Sequence, residues 1–313
     1  MKRFKMMLII LCLITVGAGV ALRVYTERLV RQAEARYPPP GQFISVEGVR
    51  LHYVSKGTGR PVVLVHGGGG SVYDWTMSVF DRMARDYHVV AFDRPGFGYS
   101  ERPLGGAPAM TQARLIHTAV KALGIEKPVL VGHSRGGIVA TAYALQYPED
   151  VAGIITLGTE FFGEGDRTPL PIRIVRVPVL GSLLVHTVFV PFGGGGVEDA
   201  LRETFSPETA APPLYIDAYV SIMLRPKQLE AVADEQRCFA SDIKQLVPRY
   251  GEITVPFLVV SGQEDANTSI SHGRRFHDVV RTSRLVELPN TGHEIMFEHP
   301  DMVTKWVANT LAQ

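Results

Sequence analysis

The chain has 313 residues, of which 46% are hydrophobic and 20% charged. This composition supports a large buried core and argues against global disorder. The 32 lysines and arginines nearly balance the 31 aspartates and glutamates, which leaves a formal charge of +1 and no basic field to attract nucleic acid. The two cysteines, Cys12 and Cys238, are too few for a disulfide framework or a cysteine metal site.

The N-terminal 40 residues differ in pattern from the rest of the chain. Three basic residues precede an uncharged apolar run at residues 6–22, which is close to the minimum length that spans a bilayer. We expect a single-pass anchor, because the helical pattern continues through Arg31. Small residues at 19–21 leave signal cleavage and secretion as the alternative, and a buried helix as a third interpretation. The basic N-terminus favours a folded domain outside the cytoplasm.

After a stiff proline-rich spacer at residues 37–41, short apolar runs alternate with helical patterns. A hairpin is predicted at 43–54. The short apolar runs that follow it are typical of strands covered on both faces of a mostly parallel sheet. We expect an α/β core of eight strands with helices on both faces, built from residues 41–160 and 251–313. The predicted strands lie at 43–46, 49–54, 62–65, 89–92, 129–131, 154–157, 257–260 and 285–288, and the clearest helices at 110–123, 138–145 and 302–311.

Residues 161–250 interrupt this alternation and are rich in proline and glycine. We interpret them as a helical cap inserted over the carboxyl ends of the strands. Within the cap, residues 177–192 contain no Asp, Glu, Lys or Arg. Three interpretations of this segment stay open: it packs on the core, it lines an apolar pocket, or it touches a lipid surface. A second membrane span is not expected, because the segment is short and is broken by Pro178 and Gly181.

The strongest chemical signal is Gly132-His133-Ser134-Arg135-Gly136, which joins a predicted strand to a predicted helix. This is the G-x-S-x-G pattern of a nucleophile elbow, in which a tight turn presents the serine in a strained, accessible conformation. The glycines leave room for the turn because they have no Cβ. The pattern makes Ser134 the candidate nucleophile.

A second motif, His66-Gly67-Gly68-Gly69-Gly70, follows the strand at 62–65. Acyl transfer needs backbone N–H donors close to the developing oxyanion, and glycines let the main chain approach it. We assign these donors to the N–H groups of Gly68 and Arg135. A phosphate-binding loop is the alternative, but the chain shows neither a following Lys-Ser/Thr pair nor a G-x-G-x-x-G spacing.

A serine nucleophile needs a base and an acid that orients it. Of the ten histidines, His293 alone lies in a glycine-preceded loop after a strand, in Gly292-His293-Glu294. Asp265 follows the strand at 257–260 and is the candidate acid, with Glu160 and Glu264 as the rivals. The set needs no metal and no organic cofactor.

These motifs resemble those of the α/β-hydrolase superfamily, in its esterase-like branch with a helical cap. The resemblance spans residues 43–313 and includes the loop Asp93-Arg94-Pro95-Gly96-Phe97-Gly98-Tyr99-Ser100, in which Asp93 is expected to be structural. It implies the chain order serine, acid, histidine, which Ser134, Asp265 and His293 follow.

Within the superfamily, the serine at the elbow disfavours haloalkane dehalogenases and epoxide hydrolases, which carry aspartate there. Gly69-Gly70 stands where proline iminopeptidases have Pro-Gly. We therefore expect a carboxylesterase-like serine hydrolase that acts on small to medium apolar esters. A C–C bond hydrolase of the meta-cleavage type, a cofactor-free perhydrolase and a non-catalytic binding protein on the same fold remain the alternatives.

Overall fold

Eight strands form one mixed sheet in the computed structural model, which describes residues 2–163, 168–177, 179–206 and 209–311. Their order across the sheet is β1-β2-β4-β3-β5-β6-β7-β8, with β2 antiparallel to both neighbours and every other pair from β4 to β8 parallel. The strands are β1 (Gln42–Val46), β2 (Val49–Lys56), β3 (Pro61–Val65), β4 (His88–Phe92), β5 (Val129–His133), β6 (Gly153–Leu157), β7 (Phe257–Gly262) and β8 (Ser283–Leu288).

Helices cover both faces of this sheet. They are α1 (Lys2–Arg36), α2 (Tyr73–Thr76), α3 (Phe80–Met83), α4 (Ala109–Ala122), α5 (Arg135–Gln146), α6 (Leu170–Val175), α7 (Leu180–Leu184), α8 (Val190–Phe192), α9 (Gly194–Arg202), α10 (Pro213–Met223), α11 (Pro226–Leu246), α12 (Ser271–Val279), α13 (Ile295–Glu298) and α14 (Pro300–Leu311). A π-helical turn at Val185–Phe189 joins α7 to α8.

The apolar strands are buried on both sides, as the sequence predicts for a covered parallel sheet. On β3, Val63 and Val65 pack into a cluster with α4, α5 and α12, whereas Val62 and Leu64 pack on the opposite face with α2, α3 and α14. Successive side chains of a strand point to opposite faces, so one short apolar run supplies two cores.

All eight predicted strands are present, and the three predicted helices are found within a few residues of their expected bounds. The helix predicted at 138–145 begins earlier, at Arg135, directly after the serine of the elbow. Helices α2, α3 and α12 were not predicted from the sequence, because four to nine residues give too little periodicity to separate a helix from a loop.

The helices between β6 and β7, α6 to α11, form the cap. Its longest helix, α11, packs against both the core and α6, while α10 packs against α1, α2 and α9. The segment from Leu180 to Phe192 meets α9 at an angle of 71°. Pro178, one of the two predicted breaks in this segment, lies outside the described residues.

Helix α1 is a single helix of 35 residues whose two halves have different surroundings. Every described residue from 2 to 18 is exposed. The helix as a whole is long and apolar enough to cross a membrane, as anchors and signal sequences both are. The second half packs on the cap: Oγ1 of Thr26 donates to the carbonyl of His186 at 2.6 Å, and Nη1 of Arg225 lies 3.1 Å from Oε1 of Glu34. The helix therefore continues from the apolar run directly onto the folded part of the chain.

Candidate active site

Ser134 lies at the turn between β5 and α5 with φ 50° and ψ −118°. This left-handed conformation is strained for a residue with a Cβ. It is held by a hydrogen bond of 2.8 Å from the Ser134 N–H to the carbonyl of Leu157, at the end of the neighbouring strand β6. A strained serine at this position matches the geometry that the elbow motif predicts.

The glycines around Ser134 are required by close backbone approaches. A Cβ on Gly132 would lie 2.5 Å from the carbonyl oxygen of Gly136, and one on Gly136 would lie 2.5 Å from that of His66. Both distances are shorter than real Cβ contacts, so a larger residue would force the turn away from β3. The motif is thus explained by packing between the elbow and the loop after β3.

His293 and Asp265 are brought together from the loops after β8 and β7. Nδ1 of His293 lies 2.7 Å from Oδ2 of Asp265, and both side chains are buried. The other oxygen of Asp265 accepts hydrogen bonds from the N–H groups of Asn267 and Thr268, each at 2.8 Å. These bonds fix the carboxylate, and the carboxylate in turn fixes the imidazole.

Two opposing effects act on the pKa of His293. Burial lowers it, but the charge of Asp265 and the hydrogen bond to it raise the pKa above the ordinary value for histidine. Gly158 gives the pair its space, since a Cβ there would lie 3.0 Å from Nδ1 of His293. The sequence provided no signal for this glycine.

The rival acids lie elsewhere around the site. Oε2 of Glu160 is 3.9 Å from Nη2 of Arg135, and Glu264 is exposed in the loop after β7. Asp265 is the carboxylate hydrogen-bonded to His293. The catalytic roles of Ser134, Asp265 and His293 remain a prediction from the motifs and this geometry.

The glycine loop after β3 lies against the elbow. A Cβ on Gly67 would lie 3.3 Å from Cβ of Ser134, and one on Gly68 would lie 3.3 Å from Cγ of Arg135. Nη2 of Arg94 donates to the carbonyl of Gly67 at 2.8 Å. The two predicted oxyanion donors, the N–H groups of Gly68 and Arg135, therefore belong to adjacent segments.

Two buried histidines support this region. Nε2 of His66 accepts a hydrogen bond of 2.9 Å from the N–H of Arg94, and burial lowers the pKa of His66 to about 3. Nε2 of His133 lies 3.1 Å from the carbonyl oxygen of His293, and the two rings are 4.7 Å apart. Burial also lowers the pKa of His133 well below its usual range, so both histidines are neutral structural groups at pH 7.

Ser134 and His293 share a cavity of about 250 Å³ under the cap. Several polar residues of its wall were not predicted from the sequence, among them Asp74 on α2, Tyr215 and Tyr219 on α10, Glu235 on α11, and Glu294. Glu294 could have been placed at the site from the sequence, because it directly follows His293. The cap residues had no such sequence signal, because only folding brings α10 and α11 over the elbow.

Two of these acids are buried where charge is disfavoured. Burial raises the pKa of Glu294 to about 7 and raises that of Asp74 well above its usual range. Tyr215 donates to Oδ1 of Asp74 at 3.3 Å, and Thr204 donates to Oε1 of Glu294 at 3.2 Å. In their protonated forms, these two side chains can donate hydrogen bonds to an uncharged acceptor.

Within the described residues, no group of three or more His, Cys, Asp or Glu side chains is arranged to hold a metal ion.

Comparison with known proteins decides the family. The sequence model of the alpha/beta hydrolase fold matches residues 60–300, which include the elbow, the glycine loop, Asp265 and His293. The chain belongs to the α/β-hydrolase family. The strand order, the serine elbow and the cap inserted after β6 agree with this assignment.

Three relatives of this α/β-hydrolase illustrate the range of the family. A 2-hydroxy-6-oxo-6-phenylhexa-2,4-dienoate hydrolase of Burkholderia cepacia is 26% identical over 274 residues, which are 84% of this chain and 91% of that protein. A thermophilic esterase of Thermogutta terrifontis matches with a TM-score of 0.70 and 25% identity over 87% of this chain and 98% of its own. A bacterial membrane phospholipase A matches with a TM-score of 0.66 and 21% identity over 100% of this chain and 98% of its own.

Proposed function

We propose that the protein is a membrane-anchored serine hydrolase that cleaves carboxylic esters with an apolar acyl or alkyl group. The observation that carries this proposal is the strained Ser134 in one cavity with His293, which is hydrogen-bonded to Asp265. A serine in this setting can be activated by a neighbouring imidazole.

In the proposed reaction, His293 takes the hydroxyl proton of Ser134 as Oγ attacks the ester carbonyl carbon. Asp265 holds the imidazole and stabilises its charged form. The C–O bond of the ester breaks, the alkoxide leaves with the proton from His293, and an acyl group remains on Ser134. Water, deprotonated by His293, then releases the carboxylic acid and restores the hydroxyl.

The N–H groups of Gly68 and Arg135 are assigned to the tetrahedral oxyanion in both steps. Such donors act on charge that appears only in the transition state, and the loss of one typically costs about 10²–10³ in kcat. Because both are backbone groups, substitution of the Arg135 side chain leaves its N–H donor in place.

The charges around the cavity favour an uncharged substrate. Among the described residues that line it, the one lysine or arginine is Arg135, and Glu160 lies 3.9 Å from it. A substrate carboxylate would compete with the carboxylate of Glu160 for the guanidinium of Arg135. In their protonated forms, which burial favours, Asp74 and Glu294 can donate a hydrogen bond to a neutral carbonyl or ester oxygen.

A second candidate is hydrolysis of a C–C bond, which the name of the Burkholderia cepacia relative supports. The same serine, histidine and aspartate would serve it. The dienoate in that relative's name carries a carboxylate, so the cavity charges argue for the ester reaction in this chain.

We infer that α1 acts as an uncleaved anchor with the catalytic part outside the cytoplasm. Its apolar half is exposed throughout residues 2–18, and its polar half packs on the cap through Thr26 and Glu34. Membrane fractionation tests this: the full chain is expected in the membrane, and a soluble mature protein that starts near Leu22 would contradict it.

The first experiment measures turnover of p-nitrophenyl esters of increasing acyl length by the full chain in detergent. The full chain is needed because removal of α1 would expose the cap surface that Thr26 and Leu29 cover. We expect turnover that vanishes in Ser134→Ala and persists in Ser45→Ala, an exposed serine on β1.

The same proteins are offered 2-hydroxy-6-oxo-6-phenylhexa-2,4-dienoate, with loss of its conjugated chromophore as the signal. Serine-dependent cleavage of the dienoate with no ester turnover would select the C–C reaction. Inactivity on both substrates would favour a binding role.

A further inference from the structure

The cap lies beside the end of the apolar run of α1. Thr26 is hydrogen-bonded to His186, and Val190 lines one cavity together with Leu29 and Ala33, so α1 and the segment from α7 to α8 run in the same direction. Residues before His186 therefore lie beside residues of α1 before Thr26. At 1.5 Å per residue, Leu22, the last residue of the apolar run, is about 6 Å from Thr26 along the helix.

The part of the cap at this level is apolar and exposed. Val177, Val179, Leu180 and Leu183, which we call the apolar tip, are 43%, 85%, 46% and 54% exposed. Clustered apolar side chains left in water are unfavourable and mark an interaction surface. An anchor that enters the bilayer at Leu22 brings this tip to the lipid surface.

A second cavity adjoins the catalytic cavity and approaches the apolar tip through Val175, a wall residue whose backbone lies against Gly181, between Leu180 and Leu183. It has a volume of about 560 Å³ and is lined mainly by apolar residues of α6, α8 and α9. The two cavities share the wall residues Leu201, Thr204, Tyr219, Met223 and Asn267.

We propose that the apolar tip rests in the lipid surface and that an acyl chain of a membrane lipid enters the second cavity, which places its ester at Ser134. This deepens the proposed function and rests on it. The occupant is a lipid because the same helix that carries the apolar run into the membrane packs on the cap. An apolar cavity of this size also suits a long aliphatic chain.

The first test measures docking without any catalysis. Leu183→Trp and Leu214→Trp are compared in the full chain, reconstituted into phosphatidylcholine vesicles with brominated acyl chains. Leu214 is a matched control: it is 63% exposed on α10, beyond Asp217, whose carboxylate pairs with Arg36 at the end of α1 farthest from the apolar run. The native Trp75 and Trp306 are buried and common to both proteins.

We expect the bromine atoms to quench the emission of Leu183→Trp and to leave that of Leu214→Trp unchanged. If brominated lipid quenched the two variants to the same extent, or quenched neither, the docking surface would be overturned whatever the enzyme activity.

The second test measures the lipid as a substrate. The full chain in dioleoylphosphatidylcholine vesicles is assayed for release of oleate, and the same samples for turnover of the water-soluble p-nitrophenyl butyrate. In the double variant Leu180→Glu/Leu183→Glu, oleate release is expected to fall at least about tenfold. The reason is that transfer of a single leucine side chain from water into lipid favours docking about tenfold or more. Butyrate turnover is expected to stay within twofold, and Leu214→Glu is expected to change neither.

Butyrate turnover that depends on Ser134, without any oleate release, would overturn the lipid substrate and leave the proposed function standing. A loss of both activities in the double variant, with Leu214→Glu unaffected, would show a structural role of the tip and would also overturn the inference. Absence of both activities in the unmodified protein would contradict the proposed function and the lipid substrate together.

Discussion

The side-chain amide of Gln228 on α11 donates hydrogen bonds to the carbonyls of Gly69 and Gly70, at 2.8 and 2.9 Å. Its oxygen accepts a third bond, of 2.9 Å, from the N–H of Gly98, and the side chain is fully buried. A cap residue thereby holds the glycine loop that contains the proposed donor Gly68. The cap thus supports the glycine loop as well as covering the cavity.

Gln228→Leu is expected to lower kcat for a soluble ester at least about tenfold with a smaller effect on KM, because the loop loses its fixed position and its carbonyls lose their partners. Steady-state kinetics measures both constants. Gln245→Leu, an exposed position on the same helix, is the control. A kcat within twofold of the unmodified protein would show that the loop keeps its position without this amide.

The buried ion pair of Arg94 and Glu235 also joins core and cap, and the Arg94 side chain is fully buried. Glu235→Gln is expected to cost about 3–5 kcal/mol in the free energy of unfolding, because it leaves a buried guanidinium without its counter-charge. Glu230 lies on the same helix as Glu235 and forms an exposed pair with Arg102. Glu230→Gln breaks this pair and is expected to cost at most about 1 kcal/mol. Urea unfolding compares the two, and equal costs would contradict the argument.

The charge of Asp265 sets the protonation of His293. In Asp265→Asn, loss of that charge lowers the pKa of His293, so the acid limb of the kcat/KM profile is expected to move to lower pH. Turnover itself is expected to fall about 10⁴-fold, since the amide no longer orients the imidazole for the reaction. Asp278→Asn, an exposed position on α12, should leave the profile unchanged. An acid limb that stays in place would assign it to another group.

Glu294 makes stability depend on pH. Its pKa is raised from 4.5 to about 7 by burial, so the folded state binds more protons than the unfolded state between these values. Its contribution is therefore favourable below pH 4.5 and is lost as the pH rises through 7. Glu294→Gln is expected to be stabilised relative to the unmodified protein by on the order of 3 kcal/mol above pH 7.

Thermal unfolding across pH 4 to 9 follows this difference, with Glu203→Gln, an exposed position, as the control. A constant difference between Glu294→Gln and the unmodified protein at every pH would mean that Glu294 does not titrate in this range.

The core and the elbow were predictable from the sequence because their signals are local. Each strand is an apolar run, and the glycines beside Ser134 are needed wherever a strand turns tightly into a helix. The loop positions of Asp265 and His293 also followed, since the carboxyl ends of parallel strands meet at one edge of the sheet. The division of the chain at residues 40, 160 and 250 remains a prediction, and the contacts of Thr26 and Glu34 tie the first segment to the cap.

The sequence by itself determined the fold class, the serine motif and the apolar N-terminal helix, because each depends on neighbours in the chain. Only the tertiary structure decided which carboxylate bonds to His293, which acids are buried at the cavity wall, and that Gln228 supports the glycine loop. Those relationships join residues 28 to more than 200 positions apart, for example Asp265 with His293 and Asp74 with Glu294. Their pKa values and hydrogen bonds depend on the burial that only packing creates.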